Sequence, residues 1–187
     1  KENLEITAYL QDALSFIYFN SDKEKSKKHK KVAQGLYQEL KWSYHQLLIL
    51  ARDIDDLLEL GMEAEAKPLE IEAINIYTNE ADKYIKAHCA YLLSRTYGIH
   101  NRANLQLEYL FQAEELLTEI GEKDLLKPVY ISVAITYEWL LTNSEKALEY
   151  ENKELNLRKE INYNERVAYT YLLISESLLG LKRIQDF

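Results

Sequence analysis

The sequence predicts an all-α fold, a solenoid of antiparallel helix pairs without a β-sheet, and three observations predict it. A short pattern recurs around a small residue at Ala51, Ser94, Ala134 and Ser175, with spacings of 43, 40 and 41 residues. Helix formers such as Leu, Glu, Lys and Ala are plentiful, whereas the 187 residues include only 5 Gly and 2 Pro. Helical hydrophobic periodicity runs through almost the whole chain.

The recurring pattern has a physical reason. The residue before each small anchor is aliphatic, namely Leu50, Leu93, Val133 or Ile174. A small side chain lets two helix backbones cross closely, whereas a large one would hold them apart. Because one helix pair cannot bury both of its faces, a repeat of about forty residues predicts stacked pairs that act through a surface.

Periodicity and turn residues predict the elements in order. The predicted helices cover about 4–19, 32–40, 42–60, 68–78, 81–97, 103–120, 128–141, 145–161 and 165–179. Whether the stretch 32–60 is one continuous helix is left open, and 162–164 is predicted to be a turn. Glycines are expected to end helices, at Gly61, Gly98, Gly121 and Gly180. Pro68 and Pro128 are expected in first helical turns, where proline is tolerated.

The charge distribution limits the classes of partner. The net charge is −8, which argues against general nucleic-acid binding, because that needs a basic face. The segment 22–31 is an exception, with six lysines against two acids. We interpret this lysine run as a solvated loop and helix start. The alternative is a docking patch for an acidic partner or a membrane surface.

The sequence offers little support for catalysis or metal binding. The single cysteine, Cys89, excludes an internal disulfide, favours a reducing compartment such as the cytoplasm, and is interpreted as a small apolar filler. The four histidines do not pair at helical spacing, and no zinc or phosphate-loop motif occurs. No apolar run approaches the roughly 18 residues of a membrane span. We therefore expect no enzyme activity, no cofactor and no metal.

Two stretches carry a resemblance to a known family. They read Tyr130-x2-Val133-Ala134-x2-Tyr137 followed by Glu145-Lys146-Ala147-Leu148, and Tyr171-x2-Ile174-Ser175-x2-Leu178 followed by Leu181, Ile184 and Phe187. This pattern resembles the tetratricopeptide repeat in its longer subclass of about forty residues, as in bacterial regulators and sensors. The resemblance implies a right-handed superhelix. It departs from the family at Glu154, where a small residue is usual, and at the anchors, none of which is glycine.

The resemblance also implies a domain organisation. It covers 42–187 as about three and a half repeats, the last of them truncated, and leaves 1–41 as an N-terminal helical cap or a degenerate repeat. The chain itself is expected to be a piece of a longer polypeptide.

In this family the anchor-bearing helices line a concave groove. The corresponding positions here predict a ligand-binding groove of His45, Leu48, Arg52, His88, Tyr91, Arg95, Ile131, Ile135, Glu138 and Tyr169. The order His, apolar, Arg occurs in two successive repeats, and Arg is well suited to hold a carboxylate. The alternative is that Arg52 pairs with the aspartates near it and Arg95 with an acid on a neighbouring helix.

These observations lead to a functional hypothesis. We expect a non-catalytic module that binds a protein or peptide segment in its groove, and a segment with an acidic end would suit the arginines. The alternatives are a sensory or regulatory region of a bacterial signalling protein or transcription regulator, with its effector domain outside this chain, and a structural oligomerisation module such as a homodimer.

Overall fold

The computed structural model describes residues 2–161 and 165–185. Helices make up 87% of the described residues and no strand occurs among them, which confirms the all-α class. The helices are α1 (Glu2–Tyr18), α2 (Lys23–Leu40), α3 (Ser43–Glu59), α4 (Glu63–Asn79), α5 (Lys83–Ile99), α6 (Ala103–Ile120), α7 (Lys123–Ile135), α8 (Ser144–Glu160) and α9 (Val167–Gln185). A π-helical turn, Thr136–Leu140, follows α7 directly.

The chain divides into two compact units, Lys1–Glu80 and Ala81–Phe187. In the first unit, α1 packs on α2 and α3 packs on α4. In the second unit, α5 packs on α6, α7 on α8 and α8 on α9, so consecutive helices are the main neighbours. The predicted boundary between 41 and 42 separates a cap from repeats of the family type, whereas the division at 80 separates compact units. The boundary at 41 therefore stays a prediction.

The question of a continuous helix over 32–60 is answered by Lys41. This residue has a left-handed backbone conformation, with φ of 57°, and its N–H donates to the carbonyls of Tyr37 and Gln38. Two carbonyls at the C-terminus of α2 are thereby satisfied, and the chain turns into α3. The stretch is therefore two helices, α2 and α3, joined by a tight turn.

The predicted starts at the two prolines are wrong. Helix α4 begins at Glu63 and α7 at Lys123, so Pro68 and Pro128 lie inside their helices. Proline removes one intrahelical hydrogen bond, and packing of the apolar helix face outweighs that loss.

The four glycines that are predicted to end helices fall into two groups. Gly61 and Gly121 have φ of 72° and 73° at helix ends, as predicted. Gly98 and Gly180 do not end their helices, because α5 continues to Ile99 and α9 to Gln185. A Cβ at Gly180 would meet the Ser144 side chain, so close approach explains this glycine, whereas a Cβ at Gly98 would meet only the end of the flexible Gln106 side chain. The predicted turn at 162–164 lies outside the described residues.

Three of the four anchors lie in the core. Ala51, Ser94 and Ala134 are buried, in keeping with close helix packing at these positions. The expectation that Ser175 is buried at a close crossing is wrong. Its side chain is exposed and its hydroxyl donates to the Leu172 carbonyl of the same helix, because the helices described in the second unit leave this face of α9 open.

Within the described part of the chain, no helix combines the length and the apolar character that crossing a membrane requires.

Candidate functional site

Helices α7 and α9 both pack on α8 in the second unit, and they face each other across two cavities. The first cavity, of about 520 Å³, lies where both helices begin. The second, of about 310 Å³, lies between the π-helical turn and the later part of α9. The lining residues recur at helical spacing along α7 with its π-helical turn and along α9, so the two cavities follow one another along the same pair of helices. We call this surface the α7–α9 groove.

The first cavity is amphipathic and carries most of the cations of the groove. It is lined by Tyr91, Lys127, Pro128, Ile131, Ser132, Arg158, Glu165, Arg166 and Tyr169. Rings, an aliphatic side chain and three basic side chains line it, and of the basic residues only Arg166 is exposed. We call this the basic end of the groove.

Two of these cations are already paired. The Lys127 ammonium is 2.8 Å from an Asp124 carboxylate oxygen. The buried Arg158 guanidinium donates to the Glu154 carboxylate and to the Glu165 carbonyl oxygen. Loss of either ion pair would leave an uncompensated buried charge, which is costly. Both side chains are therefore fixed in position at the base of the cavity.

Arg166 differs from the other two cations because its side chain is exposed. Its backbone has φ of 59°, the left-handed conformation that Lys41, Asn101 and Thr142 also adopt, and its carbonyl oxygen accepts hydrogen bonds from the N–H groups of Tyr169 and Thr170. This backbone arrangement caps the start of α9. Arg166 is therefore the cation that the groove presents most openly to a ligand.

The second cavity has the opposite charge. Glu138, Trp139, Glu176, Leu179 and Gly180 line it, and none of these described lining residues is basic. The Trp139 side chain is 63% exposed, which is unusual for so large an aromatic ring. We call this the acidic end of the groove.

A buried carboxyl group lies behind the acidic end. Glu151 on α8 is 2% exposed, and its Oε1 accepts a hydrogen bond of 2.9 Å from the Ser177 hydroxyl. The same hydroxyl is 3.4 Å from Glu138 Oε2. Burial raises the pKa of Glu151 to about 7; the Ser177 hydrogen bond opposes this rise, and the charges of Glu138 and Glu176 add to it.

The middle of the groove is apolar. Ile135 on α7 is half-buried, and Leu172 on α9 is 53% exposed. Both lie between the two charged ends along their helices. The groove therefore has a basic end, an apolar middle and an acidic end.

The structure places four of the ten predicted groove residues at the two cavities. Tyr91, Ile131 and Tyr169 line the first cavity and Glu138 lines the second, while Ile135 lies between them along α7 and lines neither. These five come from three successive anchor-bearing helices, α5, α7 and α9, or from the turn that extends α7.

Two predicted residues of the second unit lie elsewhere. The His88 ring packs edge-on against Tyr84 at a centroid distance of 4.6 Å, and burial lowers the pKa of His88. The Arg95 side chain is exposed. Neither residue lines a cavity of the α7–α9 groove.

The remaining three predicted residues belong to the first unit. His45 lies in an aromatic cluster, with ring centroids 5.0–5.4 Å from those of Tyr9, Tyr37 and Trp42, and burial lowers its pKa. Leu48 is half-buried. The Arg52 guanidinium is 2.6 Å from Asp12 on α1, so this arginine forms an internal ion pair, although not with the aspartates of its own helix.

The lysine run also has a defined place in the first unit. It forms the first turns of α2, where the Asp22 side chain accepts a hydrogen bond from the Lys25 backbone N–H. Lys27, Lys30 and other residues line a cavity of about 700 Å³ between α2 and α3. Acids of α3 line the opposite wall, and Lys30 pairs with Asp53 across it, so the two walls largely neutralise each other.

Sequence reasoning missed several residues of the groove. These are Lys127, Arg158, Arg166, Glu151 and Ser177, which lie outside the family positions used for the prediction. One signal was available, since Glu154 replaces the usual small residue and its carboxylate now pairs with Arg158. Among the described residues, no three His, Cys, Asp or Glu side chains are placed to hold a metal ion.

No protein-family model matches the chain, and a search of curated proteins returns no similar sequence.

Proposed function

We propose that this protein is a non-catalytic, tetratricopeptide-like α-solenoid module that binds a peptide or protein segment in the α7–α9 groove. One observation carries the proposal. Tyr91, Ile131 and Tyr169 lie at predicted groove positions in three successive segments of about forty residues, and all three line one cavity. Stacked repeats that share a continuous apolar surface are typical of peptide receptors.

The chemistry of the groove supports a peptide ligand. Exposed rings and aliphatic side chains provide contact area at little entropic cost, and charged groups at both ends provide orientation. The proposal places the protein in the cytoplasm, in keeping with its single buried cysteine.

A matched pair of tyrosine variants tests the groove. Tyr169 and Tyr171 are 42% and 52% exposed on the same helix, but only Tyr169 lines the cavity. We expect Tyr169→Ala to weaken binding to an array of synthetic peptides by about tenfold or more, as for a buried aromatic contact. Tyr171→Ala should leave the array signal unchanged. Equal losses in both variants, or in neither, would contradict binding at this groove.

One observation favours a sensory role as a second candidate. The π-helical turn Thr136–Leu140 joins the groove to the buried Glu151 carboxyl, and π-helical turns occur frequently at functional sites. If the module transmits a signal, peptide binding should change amide hydrogen exchange in this turn and in α8. Protection confined to the groove itself would favour a simple binding module.

A further inference from the structure

We infer that the α7–α9 groove selects a dipolar segment, in which an acidic residue and a basic residue flank an apolar stretch. This inference rests on the proposed function and names the class of ligand. Its first support is the separation of charge, because the basic end and the acidic end lie on the same pair of helices. Complementary charges fix the register and direction of a bound chain.

The acidic end fits a lysine or arginine side chain. Glu138 and Glu176 lie on opposite walls, and the exposed Trp139 ring lies beside them. A cation between two carboxylates can also contact the face of an aromatic ring, which adds a favourable cation–π interaction. Gly180 keeps the wall open, since a Cβ there would meet Glu138 and Ser144.

Glu151 strengthens this end from behind. Its buried carboxylate Oε2 accepts no hydrogen bond within the described structure, and its Oε1 is linked through Ser177 to the Glu138 that lines the cavity. When the Glu151 carboxyl group ionises, it adds its negative charge to those of Glu138 and Glu176. A ligand cation would stabilise that ionised form, so the site favours cations over neutral groups.

The basic end fits a carboxylate. Arg166 presents an exposed guanidinium, which can bind a carboxylate with two parallel hydrogen bonds. Lys127 and Arg158 lie beside it at the same cavity, each already held by an acid. Asp124 and Glu154 offset the charges of these two cations, so Arg166 makes the contact with the carboxylate.

The helix geometry gives the spacing of the two charges. Arg166 and Glu176 are ten residues apart in the chain, which corresponds to about 15 Å along a helix. An extended peptide advances about 3.3 Å per residue, so the two charges of the ligand should be about four or five positions apart. The residues between them would lie over Ile135 and Leu172, which requires apolar side chains.

A synthetic peptide array tests the spacing. Each peptide carries one Glu and one Lys in a Leu/Ala background, in both orders and at separations from one to about eight positions. We expect one order at about four or five positions to bind about tenfold tighter than the same peptide with either charge replaced by Gln. Equal affinity for peptides of every charge separation, with or without the second charge, would overturn the inference.

Charge reversal provides the decisive variants. Glu176→Lys should make the groove prefer peptides with Glu in place of Lys at that end, and Arg166→Glu should do the converse. Glu145→Lys is the matched control, because Glu145 is also an exposed glutamate of the second unit but does not line the groove. Circular dichroism melts of all three variants confirm that each is folded before binding is compared.

The outcomes separate this inference from the proposed function. If uncharged apolar peptides bind as tightly as dipolar ones, and Tyr169→Ala still weakens them, the groove is a peptide site without charge selection and the inference is wrong. If no peptide of the array binds the unmodified protein, both the proposed function and the inference are wrong. A switch of preference in Glu176→Lys, but not in Glu145→Lys, would establish the dipolar ligand.

Discussion

The Glu151 carboxyl group makes stability depend on pH in a direction that can be measured. We expect Glu151→Gln to stabilise the protein at pH 8 and to have almost no effect near pH 4. The reason is that burial raises the pKa of Glu151 from an ordinary 4.5 to about 7 in the folded state. Above that pH, the folded protein must hold a buried carboxylate beside Glu138 and Glu176, whereas a glutamine stays neutral.

The sign and the size follow from proton linkage. Between pH 4.5 and about 7 the folded state binds one proton more than the unfolded state, so stability falls as the pH rises. A pKa change of about 2.5 corresponds to about 3 kcal/mol of unfolding free energy, fully lost above the folded pKa. Glutamine can still accept the hydrogen bond from Ser177, so little else changes.

Urea unfolding followed by far-UV circular dichroism measures this difference, at several values from about pH 4 to about pH 8. Glu145→Gln is the control, because it removes a carboxylate from an exposed position in the first turn of α8, where the interaction with the helix dipole limits the change in stability to about 1 kcal/mol at any pH. If the stability difference between Glu151→Gln and the unmodified protein does not grow with pH, Glu151 does not titrate in this range, and the account of the buried carboxyl group is wrong.

Three further predictions concern packing and charge. Ala134→Leu should cost about 1–3 kcal/mol in thermal or urea unfolding, because the anchor is fully buried; an unchanged stability would refute its place in the core. Gly35→Ala should stabilise the folded protein by about 0.5–1 kcal/mol, because nothing lies near the added Cβ. Gly180→Ala should not show this gain, because its Cβ would clash with Ser144. Equal changes in stability in the two variants would contradict the close approach at Gly180. Three lysines of the run are exposed at α2, namely Lys25, Lys27 and Lys28. Changing all three to Gln should leave stability within about 0.5 kcal/mol, and a larger loss in the same unfolding assay would show that the run has a structural role.

The sequence by itself determined the all-α class and most of the helices. Helical periodicity and composition are local properties, and they predicted α6 at the bounds Ala103–Ile120 that the structure has. They failed where a local rule met a tertiary contact. Gly180 is predicted to end α9, but the helix continues to Gln185 and Gly180 lies against Ser144 of α8.

The candidate site was only partly accessible from the sequence. Positions counted from the recurring small residues led to Tyr91, Ile131 and Tyr169, and these three side chains line one cavity. The same reasoning proposed Arg52 as a carboxylate ligand, whereas the structure pairs it with Asp12, forty residues earlier in the chain. An ion pair between distant residues has no local signal, so periodicity cannot distinguish it from a binding residue.

What the tertiary structure alone decided is the charge pattern of the groove. The basic end combines side chains from α7, from the C-terminal end of α8 and from the start of α9, and the acidic end combines the π-helical turn with α9. Each helix contributes only one or two charges, which along the sequence are indistinguishable from ordinary solvated residues. Helix periodicity is fixed by 3.6 residues per turn and can be read locally, whereas electrostatic potential is the sum over charges that only packing brings together.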